Sequence, residues 1–329
     1  MSSFGPSKMQ PEAFYLVTNR PKWCISIKSS STFAGETMFS PFEERNTHSE
    51  DDRRLIGRIL DGSRADLEKL VFRHQAWIYN IALKMVADPS DAEDITQEIL
   101  IKVVTKLSGY DPQKGAFRTW LYRIVANHVI NMKQRKNERN HMSFEDHARA
   151  IERIPDDAYH GQADNRVLVE EVKIKCWTAM LLCLDRRHRL VFILGEIFDV
   201  KDSTGSEILQ VSPANYRKIL SRGRNRIYNF MTQKCGLIQA DNPCHCSRKM
   251  GGFIKAGFAE ADRTIFYRED VRKVKDVIRS HQHEFDQLCS PATLQQFREH
   301  PFYEVPGSIQ QWIKATFVSE GFRSLISPD

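Results

Sequence analysis

The densest group of side chains able to do chemistry lies in residues 202–231, DSTGSEILQVSPANYRKILSRGRNRIYNFM. Arg217, Lys218, Arg222, Arg224 and Arg226 fall close together, and no acidic residue lies between Glu207 and Asp241. Cations at this density neutralise phosphates, and those early in a helix can also reach base edges in a DNA major groove. A solvated basic surface helix is the plainer alternative. A second group spans residues 116–139, AFRTWLYRIVANHVINMKQRKNER. Phe117, Trp120 and Tyr122 lie beside Arg118 and Arg123, ahead of Lys133, Arg135, Lys136 and Arg139. Aromatic rings and cations of this kind suit unstacked bases, at about 1–3 kcal/mol per base. Asn127, Asn131 and Gln134 recur one turn apart and offer amide edges to bases. The rings cannot all face DNA, however. Phe117, Leu121, Ile124 and Val125 have the spacing of a core stripe, and Trp120 stands between the two roles. The third group is Cys235, Cys244 and Cys246 with His245.

These residues need elements to hold them. In the first group, Thr204 and Glu207 have capping-box spacing and predict a short helix, with Val211 filling the turn after it. Ser212 is an N-cap and Pro213 suits a helical first turn. Tyr216, Ile219, Leu220, Gly223, Ile227 and Phe230 then form one buried stripe. That is a helix-turn-helix whose basic second helix is built for a groove. Upstream, Asp61-Gly62-Ser63 breaks one helix and Asp66–Val86 makes another. Ser90 and Glu93 read as a capping box for DAEDITQEILIKVVTKL, which buries Ile95, Ile99, Val103 and Leu107 and leaves Asp94, Gln97, Glu98 and Lys102 on its polar side. Residues 109–115 read as a loop and 141–163 as a polar linker with Pro155 and Gly161 as breakers. A further helix runs from Asp164 to Leu184, and another from Arg187 to Phe198.

Composition sets the bounds. The 329 residues are 27% charged and 41% hydrophobic, with a formal charge of +6, an ordinary balance that permits a polyanionic partner. The length allows two or three domains. No apolar run is long enough for a bilayer, and residues 1–20 lack the order of a signal peptide. Seven scattered cysteines, an odd number, do not suit a secreted disulfide framework, so the expected setting is the reduced cytoplasm. Residues 1–49 have no sustained period and read as disordered, or as an over-extended start if translation begins at Met38. No Walker loop, Ser/His/Asp constellation or glycine-rich phosphate cradle is present, so the chain is not expected to be an enzyme.

Two of these segments carry a resemblance. DAEDITQEILIKVV, the loop, and FRTWLYRIVANHVINMKQRK together resemble regions 2.2 to 2.4 of extracytoplasmic-function (ECF) sigma factors of bacterial RNA polymerase. CLDRRHRLVFILGEIFDV and the helix-turn-helix resemble their region 4. The resemblance covers about Leu55 to Met231 and implies an all-α chain. Region 2 would span 50–140, a linker 141–163, region 4 164–233, and a helical C-terminal extension 234–329. It implies that Asp94, Gln97 and Glu98 dock on core RNA polymerase. Trp120, Arg123, Asn127, Asn131, Lys133, Gln134 and Arg135 would serve −10 recognition and melting. Ser212, Asn215, Tyr216, Arg217 and Lys218 would meet −35 bases, with Arg222, Arg224 and Arg226 further along on phosphates. Promoter DNA and core polymerase are the implied partners, an anti-sigma factor is a candidate third, and no membrane is involved. Gly205 departs from the family pattern and predicts a frayed or shifted first helix.

The extension is the open part. No cofactor is required by the resemblance, but Cys235, Cys244 and Cys246 are a candidate zinc or copper site, with Cys289, His281 or His283 as the remaining donor. Reduced, unliganded cysteine is the alternative. Val271, Val274, Val277, Ile278, Phe285 and Leu288 form an amphipathic face, and Leu294, Phe297, Trp312, Ile313 and Phe317 suggest later helices. The extension reads as regulatory. Two rival functions remain at this stage: a stand-alone helix-turn-helix regulator, and a metal-sensing or protein-interaction module.

Overall fold

The computed structural model describes residues 41–42, 47–139, 142–161, 163–267, 273 and 291–317, and within these the chain is all-α. The first four long helices are α1 (Thr47–Leu60), α2 (Arg64–Val86), α3 (Pro89–Thr105) and α4 (Phe117–Asn131), followed by the single turn α5 (Lys136–Arg139). Then come α6 (Phe144–Arg153), α7 (Asn165–Leu182) and α8 (Arg186–Phe192), whose last turn widens into a π-helical segment, Ile193–Ile197. The helix-turn-helix is α9 (Asp202–Leu209) and α10 (Pro213–Lys234), and the extension contributes α11 (Met250–Lys255), α12 (Pro291–Arg298) and α13 (Gly307–Phe317). Among the described residues no helix is long and apolar enough to cross a membrane.

Local chemistry sets the boundaries, in places differently from the pattern in the sequence. The cap of α3 is Asp88, whose carboxylate accepts from Asp91 N–H with Pro89 in the first turn, so the expected Ser90–Glu93 box does not form. Ala87 just before it takes a left-handed conformation, φ 58°, and turns the chain between α2 and α3. The segment expected as a linker instead contains α6. Ser143 and Asp146 make a reciprocal capping box there, and His147 and Ile151 are buried. A short helix with so few apolar positions leaves little period to read. Residues 1–49 lie largely outside the described residues, but Phe42 is not solvent-bound: its ring sits 5.4 Å from Trp77 and 4.7 Å from Tyr122.

The two halves share one core rather than standing apart. α4 lies against α8 and α9, and α2 against α7 and α8. At the joint, Glu138 from the first half is buried and accepts from Arg186 Nε at 2.8 Å and Arg189 at 3.0 Å. Arg186 also caps α4 by donating to the carbonyls of Ile130, Met132 and Lys133. Arg189 reaches the carbonyls of Leu181, Leu182, Leu184 and Met85. Burial opposes the Glu138 charge, but the two guanidiniums prevail and hold its carboxyl below the usual range.

The extension stitches over both halves. Asn80 on α2 pairs with the backbone of Tyr303 in both directions, at 2.7 and 2.9 Å. Its neighbour Lys84, 1% exposed, donates to the Pro301 carbonyl at 3.1 Å. Trp77 meets Phe302 at 4.9 Å, and Ser308 at the start of α13 donates to Glu93 of α3 at 2.7 Å. On the other half, the buried Glu171 carboxylate of α7 accepts three successive N–H groups, from Ile265, Phe266 and Tyr267. Phe297 of α12 stands 5.1 Å from Phe192 of α8.

Candidate nucleic-acid interface

The recognition surface begins at the turn between α9 and α10. Gln210 takes a left-handed conformation, φ 54°, and Ser212 caps α10 by accepting from Asn215 N–H at 3.2 Å. Gly205 is the close-packing position of this motif. A Cβ there would lie 2.4 Å from the Tyr216 ring, so the glycine admits the ring, and α9 is intact rather than frayed. The expected Thr204–Glu207 box does not form, because the helix already starts at Asp202 and Thr204 is buried within it.

The stripe Tyr216, Ile219, Leu220, Gly223, Ile227 and Phe230 is buried as its spacing requires. That burial corrects one contact residue: Tyr216 is fully buried against α9 and cannot read a base. Ser212, Asn215, Arg217, Lys218, Arg222 and Arg226 are exposed on α10. Arg217 pairs with Asp202, and Arg226 lies 3.9 Å from Asp185. Arg224 is a second correction. It is half-buried and bound to Glu196, a carboxylate 1% exposed in the π-helical segment, so it anchors α10 rather than reaching a phosphate. Burial raises the Glu196 carboxyl despite that pairing.

In the first half, Asp94 and Glu98 are exposed and Gln97 is half-buried, all on one side of α3. Glu98 is engaged: it lies 3.1 Å from Arg135 and 3.2 Å from His128. Ile101, 40% exposed one turn further on, extends this stripe and was not singled out in the sequence. Its place in an apolar-rich run, ILIKVV, hides it among core residues. On α4, Asn127 and Asn131 are exposed, as are Lys133 and Gln134 after it. Trp120 is half-buried, stacked on Phe117 at 5.6 Å and close to Tyr110 at 5.7 Å. Arg123 is turned toward α9, donating to the Glu207 carbonyl at 3.3 Å, while Thr119 meets the Glu207 carboxylate at the same distance.

A helical unit with an exposed acid-amide stripe on one helix and exposed amides and cations on the next has a match among known families. The Sigma-70 region 2 family model matches residues 70–139. Residues 70–139 are thus a sigma-70 region 2 unit. The chain is also 27% identical over 175 residues to the ECF RNA polymerase sigma factor SigE of Mycolicibacterium smegmatis, which covers 50% of this chain and 62% of that protein. It is 34% identical over 82 residues to the RNA polymerase sigma-H factor of Pseudomonas aeruginosa, covering 25% of this chain and 42% of that one. It is 23% identical over 180 residues to the ECF RNA polymerase sigma factor SigW of Bacillus subtilis, covering 53% of this chain and 94% of that protein. The chain thus spans less than two thirds of the first two relatives. Region 2 corresponds here to most of α2, from residue 70, through α5, so Asp94, Gln97, Glu98 and the α4 residues all fall within it.

Proposed function

We propose that this chain is an ECF-type sigma factor, which binds core RNA polymerase, recognises −35 and −10 promoter elements and initiates DNA-templated transcription. The observation that carries the reading is the succession within one chain of a region 2 unit and a helix-turn-helix whose second helix exposes Asn215, Arg217, Lys218 and Arg222. Acidic and amide groups on α3 suit a basic docking surface by complementary potential. The exposed Asn127, Asn131 and Gln134 suit unstacked bases, and the first turns of α10 suit base edges. The protein would act as a specificity factor, with the polymerase supplying catalysis.

The packing also supports a regulatory role for the C-terminal extension. Thr119 and Arg123 face α9, and the extension binds α2 and α3 on one side and α7 and α8 on the other. A chain closed in this way keeps part of its α4 surface from DNA. The extension would set the balance between this closed form and an open one in which both halves reach a promoter.

Run-off transcription with purified core polymerase on genomic promoter fragments tests the reading. Full-length protein is expected to give specific initiation that core alone lacks, and Arg222→Ala with Lys218→Ala to reduce it. Folded protein that binds DNA tightly yet gives no initiation overturns the reading in favour of a stand-alone helix-turn-helix regulator.

A further inference from the structure

Four sulfurs line one small cavity that the transcription reading does not use. Cys176 comes from the middle of α7, Cys235 from the end of α10, and Cys244 and Cys246 from the loop before α11. The backbone brings the last three together. Gly236 N–H donates to the Cys244 carbonyl at 2.9 Å and Cys244 N–H to the Lys234 carbonyl at 3.1 Å, folding the loop back on itself. Asn242 locks the fold with bonds to the Thr232 and Cys235 carbonyls. The cavity is about 20 Å³, room for one water-sized guest and too small for an organic ligand. Cys183, the other described cysteine, lies outside it.

Burial pushes all four thiols up, Cys244 and Cys246 to about 12, and the smaller opposing pulls of the Leu237 and Ile238 N–H groups on Cys235 and of the Lys173 ammonium on Cys235 and Cys246 do not reverse it. The thiolate is the form that binds metal, so an ion entering this cavity must displace the protons that burial holds on the sulfurs. Behind Cys176 stands His147, its Nε2 3.8 Å from the sulfur, and burial holds this imidazole neutral with a pKa down to about 4.

We propose that Cys176, Cys235, Cys244 and Cys246 bind one thiophilic divalent ion of the zinc(II) type as a tetrathiolate, with His147 as a positioning residue behind Cys176. Among the described residues no three donors already form a metal-holding group. Ligation draws the sulfurs inward by side-chain rotation, and the four thiol protons leave to solvent as four metal–sulfur bonds form. The resulting net charge of −2 faces Lys173. Cys176 takes the place that His281, His283 or Cys289 held as the expected remaining donor; those three lie outside the described residues. The site pins α7 to the root of the extension, two segments about sixty residues apart in sequence.

The test uses the full chain, reduced and stripped of metal, titrated with Co²⁺ alone and then with Zn²⁺. One equivalent of Co²⁺ is expected to give thiolate-to-metal charge-transfer absorption and tetrahedral d–d bands, bleached by one equivalent of Zn²⁺. The charge-transfer intensity should correspond to four sulfurs. Cys176→Ser should weaken binding more than about 100-fold, the scale that outer groups alone reach, and His147→Asn about 10- to 100-fold while keeping the four-sulfur spectrum. Cys183→Ser should change nothing. Folded natural protein with no cobalt–thiolate band, or binding indifferent to Cys176→Ser, overturns the proposal. If the cysteine variants do not fold, the sulfur count from the natural chain still decides, and fewer than four thiolates refutes the site. None of these readouts depends on polymerase.

Discussion

At the residue scale, the helix-turn-helix separates side chains that look alike in the sequence. Tyr216 and Arg217 are adjacent, yet one ring fills the space over Gly205 and the other side chain faces solvent. Gly205→Ala is expected to destabilise by about 1–3 kcal/mol, because its Cβ meets the Tyr216 ring in a filled core. Urea unfolding measures this, and an unchanged midpoint would refute the packing argument. Tyr216→Phe should behave oppositely. The buried hydroxyl has no hydrogen-bond partner, so its removal should leave stability equal or higher and DNA affinity unchanged. Arg222→Ala, by contrast, should leave stability alone and weaken DNA binding at all sequences. The slope of log affinity against log salt should shrink by about one unit. A loss confined to one promoter sequence would instead make Arg222 a base reader.

At the element scale, the joint between the halves depends on Glu138 held by Arg186 and Arg189. Its carboxyl is held below the ordinary range, so the pairing contributes fully above the unfolded pKa, about 4.5, and is lost as pH falls through the lower folded value. Glu138→Gln should cost about 3–5 kcal/mol at neutral pH, since two guanidiniums lose their counter-charge, and should flatten acid unfolding below about pH 4.5. A variant that keeps the full acid dependence would show that other carboxylates govern it. None of this joint was legible in the sequence, because ion pairs about fifty residues apart leave no local period. What was legible followed helical spacing: the buried stripe of α10, the apolar positions of α3, and Ser212 as a cap. Capping signals were weaker guides, since Ser90 and Thr204 had the right spacing but Asp88 and the earlier start at Asp202 took the helix ends. Among contact residues, burial could be anticipated for Tyr216 from its own stripe, whereas the pairing of Arg224 with Glu196 could not. Cys176 was hidden for a related reason, as a thiol on an apolar helix face reads as core until the loop carrying Cys244 and Cys246 is folded against it.

At the scale of the whole molecule, the extension's hold on α2 has a titratable part. Lys84 is buried against the Phe198 and Tyr303 rings, at 5.4 and 5.9 Å from their centroids, and near His300. Burial lowers its pKa to about 7. The undocked chain, with Lys84 near its ordinary 10.5, therefore binds more protons between about pH 7 and 10.5, so docking strengthens as pH rises through that window. The amide protection factors of residues 302–305 should rise with pH once intrinsic exchange is divided out, and Lys84→Met should remove that dependence. Asn80 offers the cleaner lever on function, because it carries no charge and lies away from the exposed faces of α3, α4 and α10. Asn80→Ala leaves the buried N–H and carbonyl of Tyr303 unpaired, a loss of about 1–3 kcal/mol for each group. Most of that cost falls on the docked form, since the freed segment recovers its bonds from water. If the extension restrains region 2, Asn80→Ala should raise run-off transcription by the factor its undocking predicts, roughly tenfold for each 1.4 kcal/mol until the open form dominates. The same variant should speed proteolysis of the extension. Faster proteolysis with transcription unchanged would separate the two, leaving the extension as a stabilising brace whose release has no bearing on promoter use.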